Sequence, residues 1–188
     1  MKFTLEYLKS LGRRPRVHPN GFVQFDIEPN ILRLNVWPAE PIPGHPGRIH
    51  PIHNHSFDLN SIIIYGALTN DVYAFEPSTY YATHVLHEAR RINDYDSVLA
   101  PIERNSLGNL LLVSSRTYKP GQRYSLERDL FHDSIPNGLT ATLMTLERTS
   151  KVYAPRVAVP VKIEPMNSRL SREGYDEDML WDIIAQVL

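Results

Sequence analysis

His53 and His55 stand one residue apart in the segment Gly47-Arg-Ile-His-Pro-Ile-His-Asn-His-Ser-Phe-Asp58, which leads into the apolar run Ile62-Ile-Ile and closes at Gly66. Successive side chains of an extended chain alternate faces, so the two histidines project in the same direction. Neutral imidazole is the commonest metal ligand, and two from one strand can grip a single ion. A His-x-His step also occurs as a polar surface pair. Here the flanking glycines and the apolar run favour ligation. His50 is a further candidate ligand, although Pro51 marks it as a loop residue. His84 and His87 could share one helical face near Glu88, but no third partner accompanies them. Other chemistries are excluded. The chain has no cysteine, which removes disulfides, thiolate metal sites, iron–sulfur clusters and cysteine nucleophiles together. It also has no Gly-x-Ser-x-Gly elbow and no glycine-rich phosphate loop.

The elements that must position these histidines are mostly extended. Residues 4–11 read as a short helix, with Thr4 as its cap, Leu5, Leu8 and Leu11 at helical spacing and Gly12 at its end. Arg13, Arg14 and Arg16 follow as a basic cluster of the kind found on solvated turns. Phe22 to Ile27 and Ile31 to Trp37 read as strands. In the second, Leu32, Leu34 and Val36 alternate with Arg33 and Asn35, the signature of a half-buried strand. A proline-rich loop then leads into the histidine segment. Further strands are expected through Val72 and Phe75, over Asn109–Tyr118, Tyr124–Leu126, Leu130–Ser134 and Leu139–Leu146. His84 to Arg91 fits helix or strand, and Asn93 to Asp96 a polar loop. The role of residues 78–106 stays open among a lid, a dimer arm and an extra hairpin. Near the C-terminus Asp176 caps a helix whose apolar stripe comprises Met179, Leu180, Ile183, Ile184, Val187 and Leu188.

The 188 residues carry a formal net charge of −1 with both signs well mixed, which offers no footprint for nucleic acid or an anionic membrane. The N-terminal Met-Lys-Phe-Thr-Leu-Glu-Tyr lacks a signal-peptide core, and no apolar run approaches a membrane span. A cytoplasmic protein is expected.

In these residues the chain resembles the cupins, small antiparallel β-barrels that hold a metal in the barrel mouth. Their first motif sets a glycine, five residues, His-x-His, then a glutamate and a closing glycine. Here five residues separate Gly47 from His53, and ten separate His55 from Gly66. The departure lies at the acidic position, occupied by Leu59 or Asn60. The nearest carboxylate is Asp58, which the resemblance makes a ligand or a partner that fixes an imidazole tautomer. The second motif contributes one more histidine after a Pro-Gly turn. Pro120-Gly121 followed by Tyr124, Leu126, Phe131 and His132 resembles it, with a longer spacing, and Asn137 resembles its closing asparagine. The resemblance covers about residues 20–150. It implies a mainly β fold, a cupin-type antiparallel barrel (jelly roll) with short terminal helices over about 4–11 and 177–187, forming one domain across 1–188.

It further implies a divalent metal on His53, His55 and His132, iron(II) first, with zinc, manganese or nickel as alternatives. Three imidazoles leave coordination positions open and add no carboxylate charge, so an anionic substrate can bind there without repulsion. Cupin dioxygenases acting on thiols use such three-histidine iron sites. The expectation is therefore a dioxygenase acting on a small anionic metabolite. A redox-silent isomerase, lyase or hydrolase of the same fold, and a non-catalytic ligand-binding cupin, remain open. Arg33, Tyr65, Arg116, Tyr118 and Tyr124 are candidate substrate contacts, with Tyr65, Tyr124 and Arg116 assigned to the catalytic set. Tyr65 shares the parity of His53 and His55, and Ser134 that of His132. The partners expected are a small-molecule substrate and dioxygen, with a homodimer through barrel edges or the C-terminal stripe.

Overall fold

A computed structural model describes residues 3–48, 51–91, 96–102, 106–147, 154–162, 170–171 and 174–188. His50 and most of the Asn93–Asp96 loop lie outside the described residues. Among the described residues the chain is mainly antiparallel β with two short helices, arranged as two sheets. The first runs in the order β1 (Arg16–His18), β2 (Phe22–Glu28), β3 (Leu32–Trp37), β11 (Thr140–Glu147), β4 (Asp58–Tyr65) and β9 (Arg123–Leu126). The second runs β10 (Phe131–Pro136), β5 (Leu68–Pro77), β8 (Leu107–Tyr118), β6 (His84–Arg91), β7 (Asp96–Pro101) and β13 (Leu170–Ser171), with β12 (Arg156–Pro160) along the other side of β6.

The expected mainly antiparallel β fold with short terminal helices is present, its jelly-roll strands forming an open two-sheet sandwich rather than a closed barrel. The segment after β3 carries Pro38, Pro41, Pro43, Pro46 and Pro51. Proline donates no ladder hydrogen bond, so this stretch cannot close the sheet edges. Among its described residues it contributes isolated bridges, from His53 to His132 and to Val157. The segment at 84–91 resolves to strand, and β6 with β7 forms an extra hairpin that extends the second sheet. As strand residues three apart, His84 and His87 face opposite ways, which removes them as a pair.

Both helices begin where their caps predict. In α1 (Leu5–Ser10) the Thr4 hydroxyl accepts from Tyr7 N at 3.2 Å, and in α2 (Glu177–Ala185) Asp176 Oδ1 accepts from Asp178 N at 3.0 Å. They cover the outer face of the first sheet. Leu180, Trp181, Ile183 and Ile184 of α2 join Leu8, Val17, Val23, Phe25, Leu34 and Val36 in one buried cluster. The C-terminal stripe thus packs on its own sheet. A second cluster, including Phe22, Trp37, Leu59, Ile63, Leu68, Tyr124 and Leu126, fills the space between the sheets. β3 is accordingly buried on both faces, and Asn35 lies at the inner face, where alternation alone placed it toward solvent.

Gly66 ends β4 with φ +68°, and a Cβ there would stand 2.1 Å from the Leu139 carbonyl oxygen. The glycine that closes the first motif is therefore required by backbone packing at the β4–β5 turn.

Candidate metal centre

The His-Asn-His step lies just ahead of β4 and is pinned from both sides. His53 and His132 exchange backbone hydrogen bonds, His53 N to His132 O at 3.1 Å and His132 N to His53 O at 2.9 Å, so their side chains emerge on the same face. Between the two histidines Asn54 points the opposite way and is buried. Its N–H donates to Arg156 O at 2.9 Å, and its Oδ1 accepts from Arg156 N at 2.6 Å. His55 N donates to Arg128 O at 3.2 Å. Parity puts His53 and His55 on one face, and these bonds aim that face at β10.

Among the described residues one group of possible metal-ligating side chains converges, His53, His55 and His132, with ligand atoms all within 4.8 Å of one another. The ring centres form a near-equilateral triangle, at 4.9 Å for His53–His55, 4.8 Å for His53–His132 and 5.0 Å for His55–His132. Two tautomers are fixed from behind. His53 Nδ1 donates to the Pro51 carbonyl at 2.8 Å, and His132 Nδ1 donates to Asn70 Oδ1 at 2.9 Å. Both leave the Nε2 lone pair directed inward. His55 Nε2 and His132 Nε2 stand 2.9 Å apart. Two ligands at right angles on an ion with metal–nitrogen bonds of about 2.0–2.1 Å are separated by about 2.9 Å. Burial pushes all three imidazoles below the usual histidine range. For His55 and His132, which are pushed well below it, the neighbouring rings add to the effect, and the charges of Arg33 and His18 contribute further at His55. Neutral rings with inward lone pairs are the protonation state that a divalent cation requires.

The remaining candidates are placed as follows. Asp58 stands outside the triangle. Its Oδ1 accepts from Arg128 N at 2.9 Å, bracing the residue whose carbonyl holds His55. Tyr124 is buried between the sheets beside Ser61 and Ser134. Burial raises its phenol, and the two serine hydroxyls act against that rise. Ser134 Oγ lies 3.5 Å from His132 Nδ1 and 3.4 Å from Asn70 Oδ1, as its parity with His132 predicts. Arg116 is exposed, with its guanidinium 5.2 Å from the Tyr118 ring centre, and Tyr118 in turn packs on Tyr124 at 5.0 Å. The expectation that Tyr65 faces inward is corrected. A register shift in the β4–β11 pairing inserts Ile64 between paired residues, which reverses the parity and leaves Tyr65 44% exposed.

Sequence reasoning missed Asn70, Asn54 and His18. Asn70 sits between Leu68 and Val72 on the buried face of β5, so a polar residue within an apolar alternation was the available signal. His18 stacks on Phe22 at 4.3 Å, and its ring centre lies 6.2 Å from that of His53. The basic cluster also proves to be more than a solvated turn, because Arg16 forms an ion pair with Asp26 on β2.

No protein-family model and no curated protein matches the chain. Solved structures do. Hydroquinone 1,2-dioxygenase from Sphingomonas sp. TTNP3 with 4-hydroxybenzoate bound aligns at 12% identity and a TM-score of 0.37, covering 66% of this chain and 65% of that one. Hydroquinone 1,2-dioxygenase PnpCD in complex with Cd2+ and 4-hydroxybenzonitrile aligns at 11% identity and 0.39, covering 80% and 78%. Cellulomonas parahominis L-ribose isomerase aligns at 12% identity and 0.35, covering 74% and 58%. The chain thus spans less than two thirds of the length of two of these three. No helix among the described residues is long and apolar enough to cross a membrane.

Proposed function

We propose that residues 1–188 form a single cupin-type domain that holds one divalent ion on His53, His55 and His132, and that it oxidises a small anionic molecule with dioxygen, using iron(II). The observation that carries this reading is the triangle of neutral imidazoles, His132 buried and His53 and His55 half-buried, two of them locked in the ligating tautomer by Pro51 and Asn70. A polar group buried for packing alone needs one hydrogen-bond partner. Three imidazoles turned toward one another, with His55 Nε2 and His132 Nε2 at 2.9 Å, bring their nitrogens within the span that one cation can join. When bound, the ion polarises a coordinated donor and, as iron(II), supplies redox chemistry at its open positions. Around it the chain's own residues orient and exclude. Phe57 packs against His55 at 4.9 Å and limits water on that side, and Tyr124 with Ser134 offers hydroxyls beside His132. Ligand type supports the anionic substrate, since three neutral ligands leave the ion its full charge.

The test uses the full chain without an affinity tag, stripped and reloaded anaerobically with iron(II). About one ion per chain is expected, lost in His53→Ala and in His132→Ala. Dioxygen consumption with a panel of thiols, amines and carboxylates then reads the reaction. Wild-type protein that cannot be loaded removes the metal reading. Loaded protein that converts a panel member without consuming dioxygen moves the reaction to the redox-silent class.

A further inference from the structure

Pro51 leaves a gap in the pairing beside the three histidines, and Arg48 fills it. His53 and His132 exchange both backbone bonds of an antiparallel pair. Pairs of that kind recur at every second residue, so the next would set residue 51 against Ser134, its N–H donating to the Ser134 carbonyl. Pro51 has no N–H to give. The Ser134 carbonyl instead accepts from Arg48 Nη2 at 3.1 Å, and the same nitrogen donates to Asp133 Oδ1. A side chain thus replaces the missing backbone donor.

Asp133 gives this contact its electrostatic weight. It follows His132 on β10, points away from the triangle and is 7% exposed. Directly opposite on β5 stands Asp71, whose Oδ1 is buried without a hydrogen-bond partner. Carboxylates facing each other across a strand pair repel, and a buried carboxylate deprived of its cation is strongly destabilised. Arg48 relieves both strains at the residue next to His132.

We propose that Arg48 is a positioning residue of the three-histidine centre: its guanidinium takes the place of the N–H that Pro51 lacks, ties Asp133 and Ser134 to the histidine segment, and so holds His53 and His132 face to face. The effect on the ion rests on the metal reading above; the effect on the backbone is independent of it. A purely electrostatic role predicts the opposite sign. The Arg48 charge acts on His53 and opposes further positive charge there, so by charge alone its removal would tighten metal binding. By position, its removal loosens it.

The full chain is measured as wild type, Arg48→Met and Arg48→Met/Pro51→Ala. Zinc affinity, from competition with a chromophoric chelator, should fall about tenfold in Arg48→Met, and the visible bands of the cobalt(II) form should shift with it. Pro51→Ala returns an N–H opposite Ser134 and should recover most of the loss, which a general folding defect would not allow. In the metal-free protein, amide exchange of His53 and His132 should quicken about tenfold in Arg48→Met, with Leu34 and Val36 of β3 unchanged. Zinc bound by Arg48→Met as tightly as by the wild type or more tightly, identical cobalt bands, or no recovery with Pro51→Ala overturns the proposal. So does unchanged exchange at His53 and His132, or equal quickening on β3. If the wild type takes up neither ion, the metal reading fails separately, and the exchange measurement decides the positioning role by itself.

Discussion

Asn70→Ala isolates the contribution of a residue that holds His132, a proposed metal ligand, in place. Asn70 is buried, and its Oδ1 accepts from His132 Nδ1 at 2.9 Å. Removing an acceptor of this kind behind a metal-bound histidine costs about 10–100-fold in metal affinity. On the free-energy scale this is about 1.4–2.7 kcal/mol. Ser134 Oγ stands 3.5 Å from the same nitrogen and can turn to accept from it, so Asn70→Ala alone should fall near the lower end, about tenfold. The double variant Asn70→Ala/Ser134→Ala should approach about a hundredfold. Asn70→Asp places a carboxylate on the same N–H, raises the basicity of the ligand and should bind metal at least as tightly as the wild type. The metal-free protein should also lose about 1–3 kcal/mol in Asn70→Ala, because a buried N–H loses its acceptor. Zinc affinity from competition with a chromophoric chelator, measured alongside urea unfolding of the metal-free form, separates the two effects. An Asn70→Ala protein that is less stable yet binds zinc as the wild type does would refute the argument that Asn70 orients a ligand.

Three other perturbations have defined outcomes. Burial raises the Asp26 carboxyl, but Arg33 and Arg16 outweigh that and hold it below the usual carboxylate range. A folded pKa below the unfolded value of about 4 contributes stability that is full above that pH and is lost as pH falls through the folded value. Urea midpoints of the wild type should therefore drop on acidification below about pH 4 more steeply than those of Asp26→Asn, and parallel curves would contradict the pairing. Asp58→Ala should cost about 1–2 kcal/mol of stability through the freed Arg128 N–H while zinc stoichiometry stays unchanged; loss of the ion would make Asp58 a ligand. Ile184→Ala should destabilise by about 2–4 kcal/mol in thermal or urea unfolding, since Ile184 is fully buried against the first sheet, and a change below about 0.5 kcal/mol would show that α2 detaches in solution.

Much of the architecture was legible because its signals are local. Thr4 and Asp176 announce helix starts through side chains that satisfy backbone N–H groups two or three residues away. The strands from Phe22 to Trp37 and from Tyr124 to Leu146 follow from alternation bounded by turn residues. Misreadings arose where a neighbouring strand overrode the local pattern. Tyr65 has inward parity by count, but the shift at Ile64 turns it to solvent. Arg33 and Asn35 look like the wet face of a half-buried strand, yet the second sheet covers that face and the helices cover the other. The segment from His84 to Arg91 is ambiguous alone and becomes strand because β7, β8 and β12 all pair with it.

The sequence by itself determined the chemistry available and part of its direction. It supplies no thiol, it pairs two imidazoles at the one-residue spacing that aims both the same way, and it places Gly66 where only glycine fits beneath the Leu139 carbonyl. Those features depend on covalent order and on the two-residue period of an extended chain. Only the tertiary structure brought His132 across to His53, set Asn70 and Pro51 behind the rings, joined Asp58 to Arg128 N, and gathered Arg16, Asp26 and Arg33 on one face. The physical reason is register. Which residues of distant strands stand opposite one another is decided by ladder pairing and its irregularities, and a slip of one residue reverses every side chain of a strand.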